Sequence, residues 1–236
     1  MALRRIKFLD KETFHVYNRG NSKREIFHDV QDYERFRKML YICNGTKKFK
    51  FKDLLKIEKD AYSFERGKPI VNIMCYTLMP NHFHLMISPI GNEPLPEGVN
   101  KNLGNNLSIF MRRLTASYSM YYNYKYARSG SLFEGRFKAE HVGSDGYFKY
   151  LFSYIHLNPI KLIQKNWKQA GIEDFKKAEN FLQNYKYSSF EIYFNSPVPY
   201  GGVEKIVNTK NFLDKIEEGT DLGKEIFDWL KFETIE

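Results

Sequence analysis

Phe14, Val16 and Asn18 alternate with His15, Tyr17 and Arg19, which predicts a short strand closed by Gly20-Asn21. Asp29 is placed to cap a helix whose apolar residues Tyr33, Phe36, Leu40 and Cys43 recur at helical spacing, and Asn44-Gly45 stops it. The lysine-rich stretch 46–69 has no steady period and reads as an excursion with a short helix around Asp53 to Lys59. Ile70 to Leu78 is predicted as a buried strand, Met79-Pro80-Asn81 as a turn, and His82 to Ser88 as a second strand. Pro89 to Glu97 is a Gly/Pro loop. From Leu103 to Tyr124, Leu107, Phe110, Met111, Leu114, Tyr118 and Tyr121 form one helical stripe, with Arg112 and Arg113 off it. After the break at Ser129-Gly130, Gly135 to Val142 is predicted as a fourth strand. Ser144 then caps a helix that must end near Asn158, because Pro159 disfavours helical geometry at the residue before it.

The order is strand, helix, strand, strand, helix, strand, then a further helix. That order predicts an α+β chain with a ferredoxin-like split βαβ sandwich on an antiparallel sheet. Residues 1–160 would form the core and 161–236 a helical C-terminal extension packed on it. No repeat of 20 to 50 residues is present, so solenoids and propellers drop out.

Composition narrows the partner. The 236 residues carry 37 Lys and Arg against 28 Asp and Glu, a net +9, and include 20 Phe and 17 Tyr. A basic, aromatic-rich chain leans towards a polyanion, with nucleic acid first. No apolar run approaches the roughly 18 residues of a membrane helix, and no apolar signal region opens the chain. Two cysteines, Cys43 and Cys75, fit a reducing compartment, so a cytoplasmic location is expected.

Candidate chemistry centres on Tyr76-Thr-Leu-Met-Pro-Asn-His-Phe-His-Leu-Met-Ile-Ser88. On a strand, His82 and His84 share a face, while Phe83, Leu85 and Ile87 point into a core. Paired imidazoles above an apolar underside suit a metal site, although a catalytic metal usually takes three protein ligands. On the helix after Ser144, Tyr150, Tyr154 and Asn158 share one face, apart from core-facing Phe148, Leu151, Phe152 and Ile155. A tyrosine attacks a phosphodiester poorly at its free pKa of about 10, so a neighbouring metal would serve it.

Met79-Pro-Asn-His-Phe-His-Leu85 resembles the HUH motif of the single-tyrosine transposases of small insertion sequences. Tyr154-Ile-His-Leu-Asn-Pro159 resembles the catalytic-helix motif of their branch associated with repetitive extragenic palindromes (REP). His15-Val-Tyr-Asn-Arg-Gly-Asn21 with Ile26-Phe27 and Asp32-Tyr33, Phe133-Glu-Gly-Arg-Phe-Lys138, and Asn184-Tyr-Lys-Tyr-Ser-Ser189 resemble further blocks of that branch. The blocks run in order from about residue 14 to 194.

The resemblance implies cleavage and transfer of single-stranded, hairpin-bearing DNA. It implies Tyr154 as nucleophile, His82, His84 and Asn158 as ligands of Mg²⁺ or Mn²⁺, and a 5′-phosphotyrosine intermediate. Many relatives outside the branch carry Gln where Asn158 stands. Arg19, Arg112, Arg113, Arg136 and Lys138 are candidate DNA contacts. A monomer or a homodimer is compatible. Two rivals remain at this point: a domesticated hairpin-binding protein that does not cut, and a zinc hydrolase using His82 and His84.

Overall fold

The computed structural model describes residues 8–49, 61–91, 105–194 and 201–231, with side chains to 228. The helix expected around Asp53 to Lys59, the start of the one expected from Leu103, and most of the loop to Glu97 lie outside the described residues.

Strand β1 (Phe14–Arg19) leads to helix α1 (Val30–Ile42), where the Asp29 carboxylate accepts from the Asp32 amide as an N-cap. Strands β2 (Val71–Met79) and β3 (His82–Pro89) form a hairpin across Pro80-Asn81, with Met79 paired to His82. Helix α2 (Asn106–Lys125) is capped by Asn105, strand β4 spans Lys138–His141, and helix α3 (Asp145–Leu157) is capped by Ser144. Pro159 tightens the chain after α3 into the 3-10 turn Asn158–Leu162, as its missing N–H and fixed φ require.

The sheet order is β2-β3-β1-β4, and every neighbouring pair is antiparallel. This is the ferredoxin-like arrangement expected from the sequence. Its fourth strand is shorter than expected, because Gly135 adopts a left-handed φ of 67° and the chain turns before Lys138.

Side-chain alternation gives the sheet two covered faces. Phe14, Val16, Phe83, Leu85 and Ile87 pack with Phe36 and Leu40 of α1 and with Phe110, Leu114 and Tyr118 of α2. The opposite face is apolar at the β2 end only. A bulge between Ile73 and Cys75 turns both Met74 and Cys75 to that side, where they meet Met86. Phe148, Leu151, Phe152 and Ile155 of α3 close this second core together with the C-terminal helices α4 (Trp167–Ala170), α5 (Phe175–Asn184), α6 (Phe190–Phe194), α7 (Thr209–Leu213) and α8 (Leu222–Lys231). Burying each of these large side chains contributes about 1.5–3 kcal/mol. Helix α3 is thereby pinned across β2 and β3, and the face beyond the core is left to polar residues.

The segment before α6 also covers the outer edge of β2. Leu78 N donates to Tyr187 O at 2.8 Å and Ser189 N to Tyr76 O at 2.9 Å, so no row of bare amides is left there. Among the described residues, no helix is long and apolar enough to cross a membrane.

Candidate functional site

Register sets the site. Pairing aligns Tyr17 with His84 and Lys138, His15 with Met86 and Glu140, and Arg19 with His82. Paired residues share a face, so two histidines from β3, one from β1 and a carboxylate from β4 occupy one surface. Helix α3 lays Tyr154 on that surface. Its ring lies 5.5 Å from the His84 ring and 6.0 Å from the His15 ring, centroid to centroid. His82 and His84 are 5.1 Å apart and perpendicular.

Hydrogen bonds fix which ring nitrogens face outward. Asn81 Nδ2 donates to Lys23 O at 3.2 Å, which turns Asn81 Oδ1 towards His82 Nδ1 at 2.6 Å. An amide oxygen only accepts, so His82 carries its proton on Nδ1 and leaves an Nε2 lone pair. The His84 side runs through two partners. His15 Nε2 and His84 Nδ1 meet at 2.8 Å, and Glu140 Oε2 lies 3.9 Å from His15 Nδ1. The carboxylate charge favours the Nδ1–H tautomer of His15. His15 Nε2 then accepts from His84 Nδ1–H, and His84 too presents an Nε2 lone pair. Glu140 itself accepts from Tyr17 at 2.7 Å and Tyr147 at 3.4 Å.

Burial holds both β3 histidines neutral. His82 is lowered to about 4, by burial first and the Lys161 charge second, and His84 is held well below the usual imidazole range by burial first and then by His15 and His82. Asn158 is fully buried, and among the described residues neither its Oδ1 nor its Nδ2 makes a hydrogen bond of full geometry. Its amide is still near enough to raise the His82 pKa and lower that of Tyr154. A buried amide beside a neutral imidazole and a phenol, with no well-formed hydrogen bond among the described residues, is left short of a partner.

That observation tests the fit of a metal. Among the described residues, no three His, Cys, Asp or Glu side chains converge as a metal cluster, so a zinc site built from those types alone finds no third ligand. Two imidazole lone pairs and an orphaned amide oxygen do fit a divalent ion that accepts mixed N and O ligands and keeps open positions for a phosphate.

Tyr154 is half-buried, and its pKa is raised by burial despite the neighbouring Asn158. Left to itself, the phenol is a weak nucleophile. Tyr150 stacks on it at 6.0 Å and lies farther out, more than a third exposed.

A groove of about 350 Å³ opens beside these residues, lined by Tyr17, Arg19, Lys23, His82, His84, Lys138 and Tyr154. Arg19 and Lys138 are therefore at the site, Arg19 paired with Glu134. Arg112 and Arg136 line a separate groove of about 600 Å³ together with Phe133 and Phe137, and Asn18 borders both grooves. Arg113 has another task. Its guanidinium donates to the carbonyls of Gly45 and Lys47 and stacks on Phe49, tying α2 to the start of the excursion. Sequence reasoning missed His15, Tyr17, Asn81 and Glu140 as site residues. The first three stand inside the quoted motifs, but only the strand register, and for Asn81 the bond to His82, assigns them to the site.

His156 and Ser189 have a physical role of their own. Buried His156 Nε2 meets Ser189 Oγ at 2.7 Å, and that oxygen accepts from the Tyr76 amide at 2.9 Å. This clamp ties α3 to β2. Gly20 answers to close approach: a Cβ there would overlap the Arg24 carbonyl oxygen and lie 2.9 Å from Ile26 Cγ2.

No family profile and no curated protein matches the sequence. Among solved structures, a REP-associated tyrosine transposase bound to a REP hairpin is similar at 14% identity and a TM-score of 0.48, covering 84% of this chain and 88% of that one. A bacterial tRNA(His) guanylyltransferase (Thg1)-like protein is similar in its complex with ATP, at 14% identity and a TM-score of 0.38, over 77% of this chain and 75% of that one. The complex with GTP gives 14%, 0.37, 68% and 70%. What the site can do follows from its own residues.

Proposed function

We propose that this chain is a metal-dependent single-strand DNA nuclease and strand transferase that acts on hairpin-bearing DNA. The observation that carries it is the meeting of a half-buried tyrosine, two outward imidazole lone pairs and an unpartnered buried amide on one face. His82, His84 and Asn158 would hold Mg²⁺ or Mn²⁺, which supplies Lewis-acid polarisation of the scissile phosphate when bound.

The chain's own groups do the rest. Tyr154 Oη attacks phosphorus as its proton leaves, an O–P bond forms, and the bond to the 3′-oxygen breaks. That oxygen takes up a proton as a free 3′-hydroxyl, and the 5′-phosphate stays on the tyrosine, the polarity the sequence resemblance implies. The reverse attack by a hydroxyl rejoins strands without ATP. Asn81 and the Glu140–His15 pair hold the imidazole tautomers, and the clamp of His156 on Ser189 holds the helix that carries Tyr154. Tyr154 lies beside the histidines of its own chain, so we propose that it acts in cis and that a monomer suffices for cleavage. The groove bases Arg19, Lys23 and Lys138 suit a single strand, and the second groove with Arg112, Arg136, Phe133 and Phe137 suits the paired stem.

The test is incubation of a labelled hairpin library with single-stranded flanks in Mn²⁺, Mg²⁺ or EDTA, read on a denaturing gel. Cleavage with either metal and none in EDTA is expected. Tight hairpin binding without cleavage under any metal would instead favour the non-cutting, domesticated reading.

A further inference from the structure

The C-terminal extension sends two cations to the catalytic helix. Lys168 Nζ of α4 lies 4.1 Å from the centre of the Tyr154 ring, and Lys161 Nζ, in the turn after α3, lies 5.8 Å from it. Both side chains are half-buried, and among the described residues neither meets a carboxylate. Lys125 shows how this protein treats a partly buried lysine elsewhere. There Asp29 and Asp32 clasp the ammonium at 2.8 and 2.7 Å.

Lys161 and Lys168 have the opposite environment. Burial depresses both, Lys168 to about 8, and the Lys161 charge adds to the depression of Lys168. The same Lys161 charge reaches His82 and His84. Two like charges partly removed from water, faced by an aromatic ring but by no carboxylate among the described residues, are costly, and an anion between or beside them relieves that cost. A carboxylate from the protein would have served stability. Its absence beside a nucleophile marks a place kept for an anion that comes and goes.

We infer that Lys161 and Lys168 form a phosphate-binding subsite that grips the DNA backbone at Tyr154. This inference rests on the proposed reading of Tyr154 as the residue that meets the strand. It makes the extension part of the working site: the subsite draws the phosphate towards the tyrosine and faces the negative charge that develops on it.

The experiment measures binding of fluorescent dT20 in EDTA by anisotropy over a salt series, so neither metal nor cleavage enters. Lys161→Gln and Lys168→Gln should each weaken binding several-fold and lower the salt slope by about 0.7, and the double variant by about 1.4. Lys168→Arg, which keeps the charge, should restore the slope, whereas a role in packing against Tyr154 alone would move the thermal midpoint and leave the slope unchanged. Lys177→Gln, on the exposed face of α5, is the control and should bind as the unaltered protein does. An unchanged slope in the double variant, or an equal loss in Lys177→Gln, overturns the subsite. The two readings fail separately. Loss of slope in a protein that never forms a DNA adduct keeps the subsite and removes the nuclease; adduct formation with an unchanged slope does the reverse.

Discussion

Ser189 and Ser153 are both buried serines, at 0% and 2% exposure, and differ in what the hydroxyl touches. Ser189 Oγ accepts from the Tyr76 amide at 2.9 Å and meets His156 Nε2 at 2.7 Å. Among the described residues, Ser153 Oγ has no hydrogen-bond partner. Replacing Ser189 with alanine leaves a buried amide and a buried ring nitrogen unpaired, at about 1.5–2 kcal/mol each, so about 3–4 kcal/mol in all is expected. At about 2–4 °C per kcal/mol for a chain of this size, the thermal midpoint should fall by about 6–16 °C. Ser153→Ala removes the same atom from α3 but leaves no partner unpaired, and should be neutral or stabilising by up to about 1 kcal/mol. Urea and thermal unfolding of both variants measure this. Ser189→Ala should also cleave more slowly at 25 °C, where it is still folded, because α3 has lost its tie to β2. Equal midpoints for the two alanine variants would refute the clamp.

Three further outcomes are expected. Glu140→Gln should weaken Mn²⁺ binding about tenfold by titration calorimetry without DNA, because the charge that orients His15, and through it His84, is gone; unchanged affinity would remove that relay. His15 is held down to about 4 and His156 to about 3 by burial, against about 6.5 unfolded, so the unfolded chain binds more protons. Stability therefore rises with pH between about 4 and 6.5 and is lost as pH falls through that window, by about 2 kcal/mol for each of these histidines at pH 5, and urea midpoints equal at pH 5 and pH 7 would contradict it. Arg113→Ala should destabilise by about 1–2 kcal/mol with little change in hairpin affinity, since its guanidinium serves two carbonyls, whereas Arg112→Ala should do the opposite.

Local rules carried much of this structure. Asp29 and Ser144 cap the helices expected of them, Pro159 ends α3 where its ring must, and the alternation of β3 sets His82 and His84 on one side with Phe83, Leu85 and Ile87 on the other. These depend on neighbours within a few residues. What sequence did not disclose depends on register and on long-range packing. Glu140 reaches His15 only because β4 pairs with β1 in one particular alignment, and His15 reaches His84 diagonally across β3. The bulge that puts Met74 and Cys75 on the same face breaks the alternation that a strand pattern assumes. Arg113 looked like a solvent-facing base off the apolar stripe, and its service to Gly45 and Lys47 depends on those two residues lying against α2. Lys161 and Lys168 lay in a stretch whose pattern spoke only of helices, because nothing in the spacing of that stretch says that its helices fold back over Tyr154.

The central claim is that Tyr154 takes the DNA. The most direct measurement is mass spectrometry of the protein after reaction with a hairpin substrate in Mn²⁺, followed by nuclease trimming and peptide mapping. A phosphonucleotide on the peptide bearing Tyr154 is expected, absent in Tyr154→Phe and retained in Tyr150→Phe, with hairpin binding intact in both. An adduct on Tyr150, or one that persists in Tyr154→Phe, would contradict the account.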